Sequence, residues 1–580
     1  MVKTQFRTEF AEAIFNQKYK HESAETWDEL SRTLIEDVCR NYLSTEEKED
    51  LIEMHSNMEF IAGGRYLYYA GRPNKFFNNC YLLKALSDTR EDWADVSWKS
   101  VSCLMTGGGI GINWDAYRSE GTPIKRTGGK ASGPISKMHM TNEEGRQVMQ
   151  GGSRRSAIYG SLNWKHGDSE KLLYSKDWYN MPVNGAFDLM GKQLTIGDLK
   201  EKDFNYPAPL DMTNISLNYD NVFLEEIYGI PFNQLKEIYK QGGKDAIAKL
   251  PIINIPDLFL KNVHQALKTG EPGFSFNFFE KVNEILRNAC TEVTSEDDSD
   301  VCNLASVNMS VIETKERFNK VCYLVGKFLL CGTLVAELPY EKVYDVRKKN
   351  RRLGMGIMGV HEWLLQRGYK YEVTSELHEW LGEYRDQSEI GANVLADELN
   401  INKPKAYRAI APTGTIGIMA GTTTGIEPLF AVAYKRRYLK DGKTWHYQYV
   451  VDGTAKNLID EYGLDPYEIE TALSLAEDPE RRIKFQADIQ DYVDMSISST
   501  INLPKWGSKL NNEDGVEQFA KTLAKYAHRL RGFTCYPDGS RGGQPLTIVD
   551  YKEALLTQGQ EFKEEYMDVC SLTGGGSCGV

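Results

Sequence analysis

The chain has 580 residues, of which 41% are hydrophobic and 26% charged, and this composition is typical of an ordinary globular protein. Its net charge of −13 argues against a protein that coats nucleic acid, because such proteins carry a basic stripe, but it does not exclude nucleotide binding, which needs only a few local donors. No apolar run approaches the roughly 18 residues of a membrane span, and the first residues lack the apolar core of a signal peptide.

The ten cysteines are scattered along the chain and do not form a dense disulfide framework. We therefore expect a cytoplasmic protein whose thiols are mostly reduced. No Cys-x-x-Cys pair and no histidine-rich cluster offers a zinc site, so no metal is predicted. Cys570 and Cys578 lie close together in a Gly/Ser-rich C-terminal end, and this composition predicts mobility.

The chain begins with helical patterns and continues with alternating strands and helices. Residues 6–58 carry apolar residues at helical spacing, and Thr26 is a typical N-cap for the helix that follows it. Strand and helix patterns alternate from 194 to 279, which predicts an α/β architecture. The elements predicted there are a strand at 251–255, a helix at 257–267 and a turn and strand at 270–276.

Two segments after residue 320 predict core structure. Residues 321–338 form an apolar helix, in which Cys322 and Cys331 are expected to be packing residues. The glycines at 354, 356 and 359 predict close helix packing rather than a phosphate-binding loop.

The strongest chemical signal is the stretch that contains Asn288, Cys290 and Glu292. In extended backbone, side chains two positions apart point the same way, so these three groups can converge on one small ligand. A carboxylate accepts a proton, an amide orients a hydroxyl, and a thiol exchanges a hydrogen atom or acts as a nucleophile. The alternative is that Cys290 is a buried packing thiol, as most cysteines outside disulfides are.

Residues Thr413, Gly414, Thr415 and Ile416 offer hydroxyls and backbone N–H groups just ahead of an apparent helix. A helix N-terminus of this kind binds phosphate without charged side chains. The alternative is a helix of small residues packed tightly in a core. No Walker-type loop is present, which argues against a P-loop kinase.

Three further loops are rich in glycine. The loops around 125–130 and 150–156 are also basic and suit phosphate contacts, although either is equally an ordinary solvated loop. Gly107, Gly108 and Gly109 allow close approach of a ligand or of another chain segment, or simply form a turn.

The pattern Asn-x-Cys-x-Glu resembles the active-site loop of ribonucleotide reductase large chains, and the resemblance extends over nearly the whole chain. Each further motif is weak alone, but their order and spacing together are specific. These motifs are NNC at 78–80, TGGGIGIN at 106–113, QGGSRR at 150–155, RLGMGIMG at 352–359, APTGTI at 411–416, GIEP at 425–428 and YPDGSR at 536–541.

The resemblance implies an α/β fold with a ten-stranded barrel at 59–545 and a central finger loop that carries the active site. A helical N-terminal region at 1–58 and a flexible tail with redox cysteines at 546–580 would flank it. Nothing in the chain resembles the extra ATP-binding domain with which many large chains begin, so we expect no on–off switch of that kind.

The resemblance also implies roles in the reduction of ribonucleotides to 2′-deoxyribonucleotides for DNA synthesis. A thiyl radical at Cys290 would abstract the 3′-hydrogen, Glu292 would take the 3′-hydroxyl proton, and Asn288 would hold the hydroxyls. Cys80 and Cys302 would supply two electrons. The remaining roles are a redox shuttle to a thioredoxin- or glutaredoxin-like reductant at Cys570 and Cys578, substrate phosphate binding at Thr413, Gly414, Thr415 and Ile416, and dNTP or ATP effector binding at Arg126, Gly128, Gly129, Arg154 and Arg155.

The radical source follows from a departure from the family pattern. Tyr536 is followed by Pro537, so the second tyrosine that class I chains use to receive a radical is missing. The short spacing from Cys290 to Cys302 and the segment 538–541 look more like the adenosylcobalamin-dependent class II. Gly107, Gly108, Gly109 and Tyr536 are then the expected cofactor-binding residues.

Two other functions remain open from the sequence. The chain could be a class I catalytic subunit that needs a separate radical-generating subunit, or a catalytically silent nucleotide-sensing protein on the same scaffold. Retention of five cysteines with Asn288 and Glu292 argues against the silent protein. The resemblance leaves open both the choice between di- and triphosphate substrates and the choice between a monomer and a homodimer.

Overall fold

The structure is a computed structural model that describes residues 6–125, 128–148, 156–203, 206–440, 444–540, 546–557 and 560–563. Within them the fold is mixed α/β, as predicted, with one large sheet and many helices. The strands are β1 Phe60–Ala62, β2 Cys80–Lys84, β3 Gly109–Asn113, β4 Ile158–Asn163, β5 Pro182–Phe187, β6 Gln193–Thr195, β7 Thr213–Tyr219, β8 Gly273–Phe276, β9 Leu286–Arg287, β10 Thr294–Ser295, β11 Asp300–Asn308, β12 Leu353–Met358, β13 Ala433–Lys440, β14 Thr444–Val451, β15 Thr500–Leu503, β16 Gly532–Pro537, β17 Leu546–Ile548 and β18 Glu561–Lys563.

The helices surround this sheet. They are α1 Glu9–Lys18, α2 Trp27–Cys39, α3 Thr45–Ser56, α4 Gly64–Tyr69, α5 Arg90–Met105, α6 Gly133–Gln147, α7 Ser169–Leu173, α8 Ile196–Lys202, α9 Asn221–Tyr228, α10 Phe232–Ala248, α11 Asp257–Thr269, α12 Lys315–Val335, α13 Glu341–Asn350, α14 Val360–Gln366, α15 Ser375–Glu398, α16 Gly414–Ala420, α17 Gly453–Tyr462, α18 Pro479–Gln490, α19 Val516–Ala527 and α20 Tyr551–Thr557.

The large sheet has ten strands in the described part of the chain, in the order β1-β11-β2-β3-β4-β7-β8-β16-β15, with β12 also paired to β11. Strands β2, β3, β4, β7 and β8 run parallel to one another. Strand β16 is antiparallel to β8, and β11 is antiparallel to β2. The parallel strands are connected by segments that contain helices, which is the expected connection for parallel neighbours.

The segment 406–410 makes backbone hydrogen bonds to β12 on one side and to the residues ahead of β15 on the other. Leu353 N donates to Ala406 O at 2.9 Å and Ala409 N donates to Met355 O at 3.1 Å, which joins the segment to β12. On its other side, Ile410 N donates to Ser496 O at 3.2 Å, just ahead of β15. The segment therefore connects β12 with the residues ahead of β15 through main-chain hydrogen bonds.

The N-terminal region is helical where the sequence predicts it. Thr26 caps α2 and forms a capping box with Glu29, as its position in the sequence indicates. The apolar face of α2 packs against the long helix α12 in the largest hydrophobic core. Helix α12 is long and apolar enough to cross a membrane by length and composition, but most of it is buried inside the protein.

Two predicted elements are wrong. Residues 251–255 form no strand, because Pro251 and Pro256 flank the segment and Ile253 remains 65% exposed without a partner strand. Gly354 and Gly356 belong to strand β12 and not to a helix contact. A Cβ at either position would lie within 3 Å of a neighbouring strand or segment, so these glycines allow close approach within the sheet.

The start of the predicted flexible tail also needs correction. Residues 546–548 form β17, which pairs with β13, and 551–557 form α20. Strand β18 at 561–563 pairs with β14. Because these residues are tied to the β13–β14 hairpin, a flexible segment cannot begin at residue 546.

Candidate active site

Residues 286–295 form a finger loop, because the short strands β9 and β10 pair and leave 288–293 as the tip. The base of the loop is held by the buried Arg287, which donates to Asn277 Oδ1 at 2.7 Å and to Arg531 O at 3.0 Å. Strand β3 passes directly beneath it. A Cβ at Gly111 would lie 1.7 Å from Arg287 O, so only glycine allows the loop to cross this strand.

The tip of the loop has the alternation that the sequence predicts. Asn288, Cys290 and Glu292 all line one cavity of about 340 Å³. The backbone bends at Thr291, whose φ is +70°, and Thr291 N donates to Asn288 O at 3.0 Å. The loop therefore presents the thiol of Cys290, which is half-buried, toward the cavity between an amide and a carboxyl group.

Cys80 and Cys302 lie directly opposite each other on the antiparallel strands β2 and β11. Opposed residues in such strands have Cα atoms roughly 4.5–5.5 Å apart, which is within the range that a disulfide spans. Both thiols are buried and reduced. Cys80 lines the cavity, and its Sγ accepts from Asn288 Nδ2 at 3.0 Å, which places this pair next to the finger loop.

Burial keeps both strand thiols protonated. Desolvation, and next the charge of Glu292, raise the pKa of the Cys80 thiol well above its ordinary value. Desolvation, and next Asp300, raise the pKa of the Cys302 thiol in the same direction. Because a thiolate is the reactive form in ionic chemistry, these thiols are poor nucleophiles at neutral pH, but they hold hydrogen that can be transferred.

Glu292 is a fully buried carboxyl group with an unusual proton affinity. Desolvation raises its pKa to about 7, while contacts with Asn288 and Cys80 act in the opposite direction. Cys80 Sγ lies 3.8 Å from Glu292 Oε1, and Glu292 Oε2 has no hydrogen-bond partner among the described residues. A carboxyl group that titrates near neutrality and faces a cavity is suited to exchange a proton with a ligand.

Asn288 connects the loop to the strand thiols. Its Oδ1 accepts from Val293 N at 2.9 Å and its Nδ2 points to Cys80. The amide orientation is therefore set by the backbone of the loop itself. A ligand hydroxyl that entered between Asn288 and Cys80 would meet a preoriented donor.

The cavity is also lined by residues 411–416, which include the predicted phosphate-binding residues Thr413, Gly414, Thr415 and Ile416. Helix α16 begins at Gly414, so Gly414 and Thr415 lie in its first turn and not ahead of it as predicted, and Thr413 adopts a left-handed conformation with φ of +51°. Thr413 Oγ1 accepts from Gly425 N at 2.8 Å, which fixes this turn. The helix therefore starts at the cavity, and its first N–H groups have no partner within the helix.

At each of the glycines 107–109, a neighbouring group leaves no room for a side chain. A Cβ at Gly107 would collide with Arg65, at Gly108 with Tyr81, and at Gly109 with Ala289 of the finger loop. Gly107 and Gly109 also line the cavity, whereas Gly108 does not. Their predicted role in cofactor binding stays a prediction.

Other predicted site residues lie elsewhere. Tyr536 is on β16 and does not line the cavity. Gly128 and Gly129 are on an exposed turn away from the cavity lining. The predicted residues Arg126, Arg154, Arg155, Cys570 and Cys578 lie outside the described residues. In the described ranges no group of three or more His, Cys, Asp or Glu side chains could hold a metal ion.

The cavity also has lining residues that the sequence did not single out as site residues. They include Tyr19 from the end of α1, Gly63, Gly64, Asn79 and Ser306. Asn79 could have been found, because it precedes Cys80 in a matched motif. Tyr19 carries no motif signal, since it reaches the cavity only through packing of the N-terminal helices.

Two thiols, an amide and a carboxyl group that titrates near neutrality line one cavity of an α/β fold, and a third thiol, Cys302, is paired with one of them. These are the groups of an enzyme that carries out redox chemistry on a small ligand. The family profile described as ribonucleotide reductase, barrel domain, matches residues 78–379 and 405–536. This match covers more than half of the chain, so the chain belongs to the ribonucleotide reductase family.

Similar curated proteins support this membership. A vitamin B12-dependent ribonucleoside-diphosphate reductase of Mycobacterium tuberculosis is 24% identical, with 87% of this chain and 72% of that protein covered. One from Thermoplasma acidophilum is 25% identical, with 85% and 66% covered. A putative adenosylcobalamin-dependent ribonucleoside-triphosphate reductase of Mycobacterium phage D29 is 25% identical, with 76% and 68% covered.

Proposed function

We propose that this chain reduces ribonucleotides to 2′-deoxyribonucleotides by thiyl-radical chemistry at Cys290. The observation that carries the proposal is a single cavity lined by the loop thiol, Glu292, Asn288 and Cys80, with Cys302 paired to Cys80 on the neighbouring strand. Such an arrangement holds a ribose between a radical thiol and a reducing pair, with reacting groups near contact distance.

The start of α16 would bind the substrate phosphates. Thr413, Gly414, Thr415 and Ile416 line the cavity at a helix N-terminus, where backbone N–H groups and the helix dipole attract anions. With the phosphates at this wall, the ribose extends toward the finger loop. The substrate is thus a ribonucleoside di- or triphosphate.

The first chemical steps belong to the finger loop. The thiyl radical of Cys290 abstracts the hydrogen atom from C3′ of the ribose and becomes a thiol. Glu292 takes the proton of the 3′-hydroxyl, which its pKa of about 7 permits near neutral pH. Asn288 holds the hydroxyls through its preoriented amide.

The strand thiols then supply the reducing equivalents. The 2′-hydroxyl leaves as water, with its extra proton supplied from the Cys80 and Cys302 pair. The net step breaks the C2′–O bond and two S–H bonds, and it forms water, a C2′–H bond and a Cys80–Cys302 disulfide. The proton held by Glu292 returns to the 3′-oxygen, which restores the 3′-hydroxyl and the carboxylate. The hydrogen held by Cys290 returns to C3′, which regenerates the thiyl radical for the next turnover.

Adenosylcobalamin is the proposed cofactor, in line with the names of the similar proteins from M. tuberculosis, T. acidophilum and phage D29. When bound, it supplies the radical that the Cys290 thiol needs. A place for its reactive end at this cavity is supported by Cys290, which is only half-buried, and by Gly107 and Gly109, whose backbone lines the same cavity. These two glycines would hold it. Tyr536 is not at the cavity, so its assignment has no structural support.

We further propose that the large sheet closes into a ten-stranded barrel. The hydrogen bonds of segment 406–410 to β12 and to the residues before β15 support this closure. Strands β2, β3, β4, β7 and β8 would form one half. Strands β16, β15, segment 406–410, β12 and β11 would form the other half, with the finger loop inside.

The remaining roles rest on the family resemblance. The barrel would occupy 59–545, between the helical region 1–58 and a C-terminal tail. Cys570 and Cys578 of the tail would reduce the Cys80–Cys302 disulfide and be reduced in turn by a thioredoxin- or glutaredoxin-like protein. The loops with Arg126, Gly128, Gly129, Arg154 and Arg155 would bind a dNTP or ATP effector. The product would serve DNA synthesis in the cytoplasm.

The direct test supplies the purified chain with adenosylcobalamin, a ribonucleotide, an effector and dithiothreitol, without any second subunit. Deoxyribonucleotide formation is expected, and omission of the cofactor is the matched control. Turnover only after addition of a separate radical-generating subunit would contradict the cobalamin assignment. Absence of turnover under both conditions, with nucleotide binding retained, would favour a silent sensor instead.

A further inference from the structure

Cys302 is the inner sulfur of the strand pair. Cys80 lines the active-site cavity, whereas Cys302 does not line it and is fully buried. A thiolate that enters the cavity to reduce the Cys80–Cys302 disulfide must therefore attack Cys80 Sγ, because exchange needs direct access to the attacked sulfur. Cys302 is then the leaving sulfur. It leaves with a negative charge inside the protein, where an uncompensated charge is costly.

Arg352 is next to Cys302 in the sheet. It immediately precedes Leu353, which is opposite Asn303 in the parallel pairing of β12 with β11, so Arg352 and Cys302 come one position earlier on the two chains. A Cβ at Gly354 would lie 3.0 Å from Cys302 Sγ. Because side chains alternate along a strand, Arg352 and Gly354 share a face of the sheet, and this is the face that carries the Cys302 thiol.

The guanidinium of Arg352 is buried and has unused donors. Its Nε donates to Asp300 Oδ2 at 2.7 Å, and both side chains are fully buried. Its Nη1 and Nη2 have no hydrogen-bond partner among the described residues. Asp300 Oδ2 also accepts from Ser295 Oγ at 2.6 Å and from Asn350 Nδ2 at 2.8 Å. The carboxylate is therefore held without the two Nη groups, which remain available to a second negative charge.

The charges around Cys302 oppose one another. Desolvation raises the pKa of the Cys302 thiol most, and the negative charges of Asp300, Glu292 and Asp494 raise it further. The positive charge of Arg352 acts in the opposite direction and lowers this pKa. The guanidinium thus offsets part of the repulsion that a thiolate at Cys302 meets.

We propose that Arg352 is a positioning residue for the reduction of the Cys80–Cys302 disulfide, because its guanidinium stabilises Cys302 as the departing thiolate. This role rests on the proposed function, which makes that disulfide a product of each turnover. One thiolate of a dithiol forms a bond to Cys80 Sγ while the Cys80–Cys302 bond breaks and its electron pair stays on Cys302. The second thiol of the dithiol then displaces Cys80, so the dithiol becomes a disulfide and its two protons end on the two cysteines.

The first test identifies the attacked sulfur. A full-length chain with Cys290→Ser, Cys570→Ser and Cys578→Ser is oxidised with diamide, so the disulfide forms without any turnover. It is then treated with the monothiol 2-mercaptoethanol, alkylated rapidly in denaturant and analysed by mass spectrometry. We expect the mixed disulfide on Cys80 and the alkyl group on Cys302. A mixed disulfide on Cys302 would overturn the inference.

The second test measures the rate at which dithiothreitol reduces this disulfide in Arg352 variants. Arg352→Gln should slow reduction about tenfold, because loss of an adjacent opposite charge raises the pKa of the leaving thiol and such a thiol leaves more slowly. Arg352→Lys keeps the charge and should recover most of the rate. Arg351→Gln is the matched control, because Arg351 is also buried but its Nη1 donates to Thr333 Oγ1 of α12, at 3.2 Å. It should leave the rate unchanged.

Asp300→Asn separates charge from packing. This variant and Arg352→Gln break the same buried ion pair, so a purely structural role changes the rate in the same direction in both. The charge of Arg352 predicts opposite directions, with faster reduction in Asp300→Asn because a repelling carboxylate is removed. Breaking a buried pair can prevent folding. If Arg352→Gln does not fold, the double variant is compared with Asp300→Asn alone, and it should again be slower by about tenfold.

A wild-type reduction rate in Arg352→Gln, a rate in the double variant equal to that of Asp300→Asn, or slower reduction in both single variants would overturn the inference and leave the proposed function intact. Failure of diamide to join Cys80 and Cys302 in the wild-type background would instead contradict the proposed reducing pair, and the inference would fall with it.

Discussion

The strand thiols and the loop thiol differ in how the fold holds them, and this difference separates their proposed roles. Cys80 and Cys302 are opposed across two hydrogen-bonded strands and fully buried, so their separation is set by the register of the sheet. Cys290 is at a loop tip and half-buried, so it faces a ligand. Fixed separation suits a pair that forms a disulfide, and exposure to a cavity suits a thiol that exchanges one hydrogen atom.

The largest expected effect comes from Cys290→Ser, which removes the loop thiol and keeps its shape. The O–H bond of serine is too strong for a hydrogen-atom relay, so no deoxyribonucleotide should form. Nucleotide binding, measured by titration, should survive because the phosphate wall is untouched. Appreciable turnover by this variant would show that the radical assignment is wrong.

Cys80→Ser breaks the strand pair and should abolish multiple turnover with dithiothreitol and with a thioredoxin-like protein alike. Cys570→Ser or Cys578→Ser should retain turnover with dithiothreitol, which is small enough to reach the Cys80–Cys302 disulfide. These tail variants should stall after about one turnover with the protein reductant, because exchange needs direct attack of a thiolate on sulfur. Equal activity of tail variants and wild type with the protein reductant would make the tail cysteines incidental.

Glu292→Gln tests the proton acceptor between the two kinds of thiol. Loss of a positioned general base should lower kcat by roughly 100- to 10,000-fold. Because the carboxylate form is the acceptor and its pKa is about 7, wild-type activity should rise with pH through that value. The residual activity of the variant should lack this rise. A wild-type profile that is flat from pH 6 to 8 would argue against the role of Glu292.

Glu292→Gln should also make the fold more stable at neutral and higher pH, and this effect is smaller than the loss of activity. The pKa of Glu292 is raised by burial from 4.5 to about 7, so the folded state favours the protonated form. This group therefore stabilises the fold below pH 4.5, and that contribution is lost as pH rises through 7. The free energy of unfolding of Glu292→Gln minus that of the wild type should therefore increase by up to about 3 kcal/mol when the pH is raised from 4.5 to 8. Denaturant unfolding at both pH values measures it, with exposed Glu313→Gln as the control.

The features that depend only on nearby residues, such as side-chain alternation and helix capping, could be predicted from the sequence. The i, i+2 spacing of Asn288, Cys290 and Glu292 placed three side chains on one cavity, and Thr26 was correctly identified as a helix N-cap. The helix after Thr413 was also predicted, although it begins earlier than expected, at Gly414. The family and the mixed α/β class were also predictable, because many ordered motifs carry the resemblance.

Long-range arrangement could not be predicted from such patterns alone. The pairing of Cys80 with Cys302 depends on strand register between distant segments, and only the resemblance suggested it. Tyr19 enters the cavity through packing of α1 on α16, which no motif encodes. At 251–255 the apolar isoleucines favoured a strand, but Pro251, Pro256 and the lack of a partner strand prevent one.

The most direct measurement of the central claim is a single turnover without external reductant in a chain with Cys570→Ser and Cys578→Ser. The cysteine pair that reduced the substrate then stays oxidised, because nothing reduces it again. Free thiols are alkylated before mass spectrometry. We predict about one deoxyribonucleotide per chain, a disulfide between Cys80 and Cys302, and an alkylated Cys290. A deoxyribonucleotide formed while Cys80 and Cys302 both remain alkylatable, or a disulfide that includes Cys290, would contradict the account.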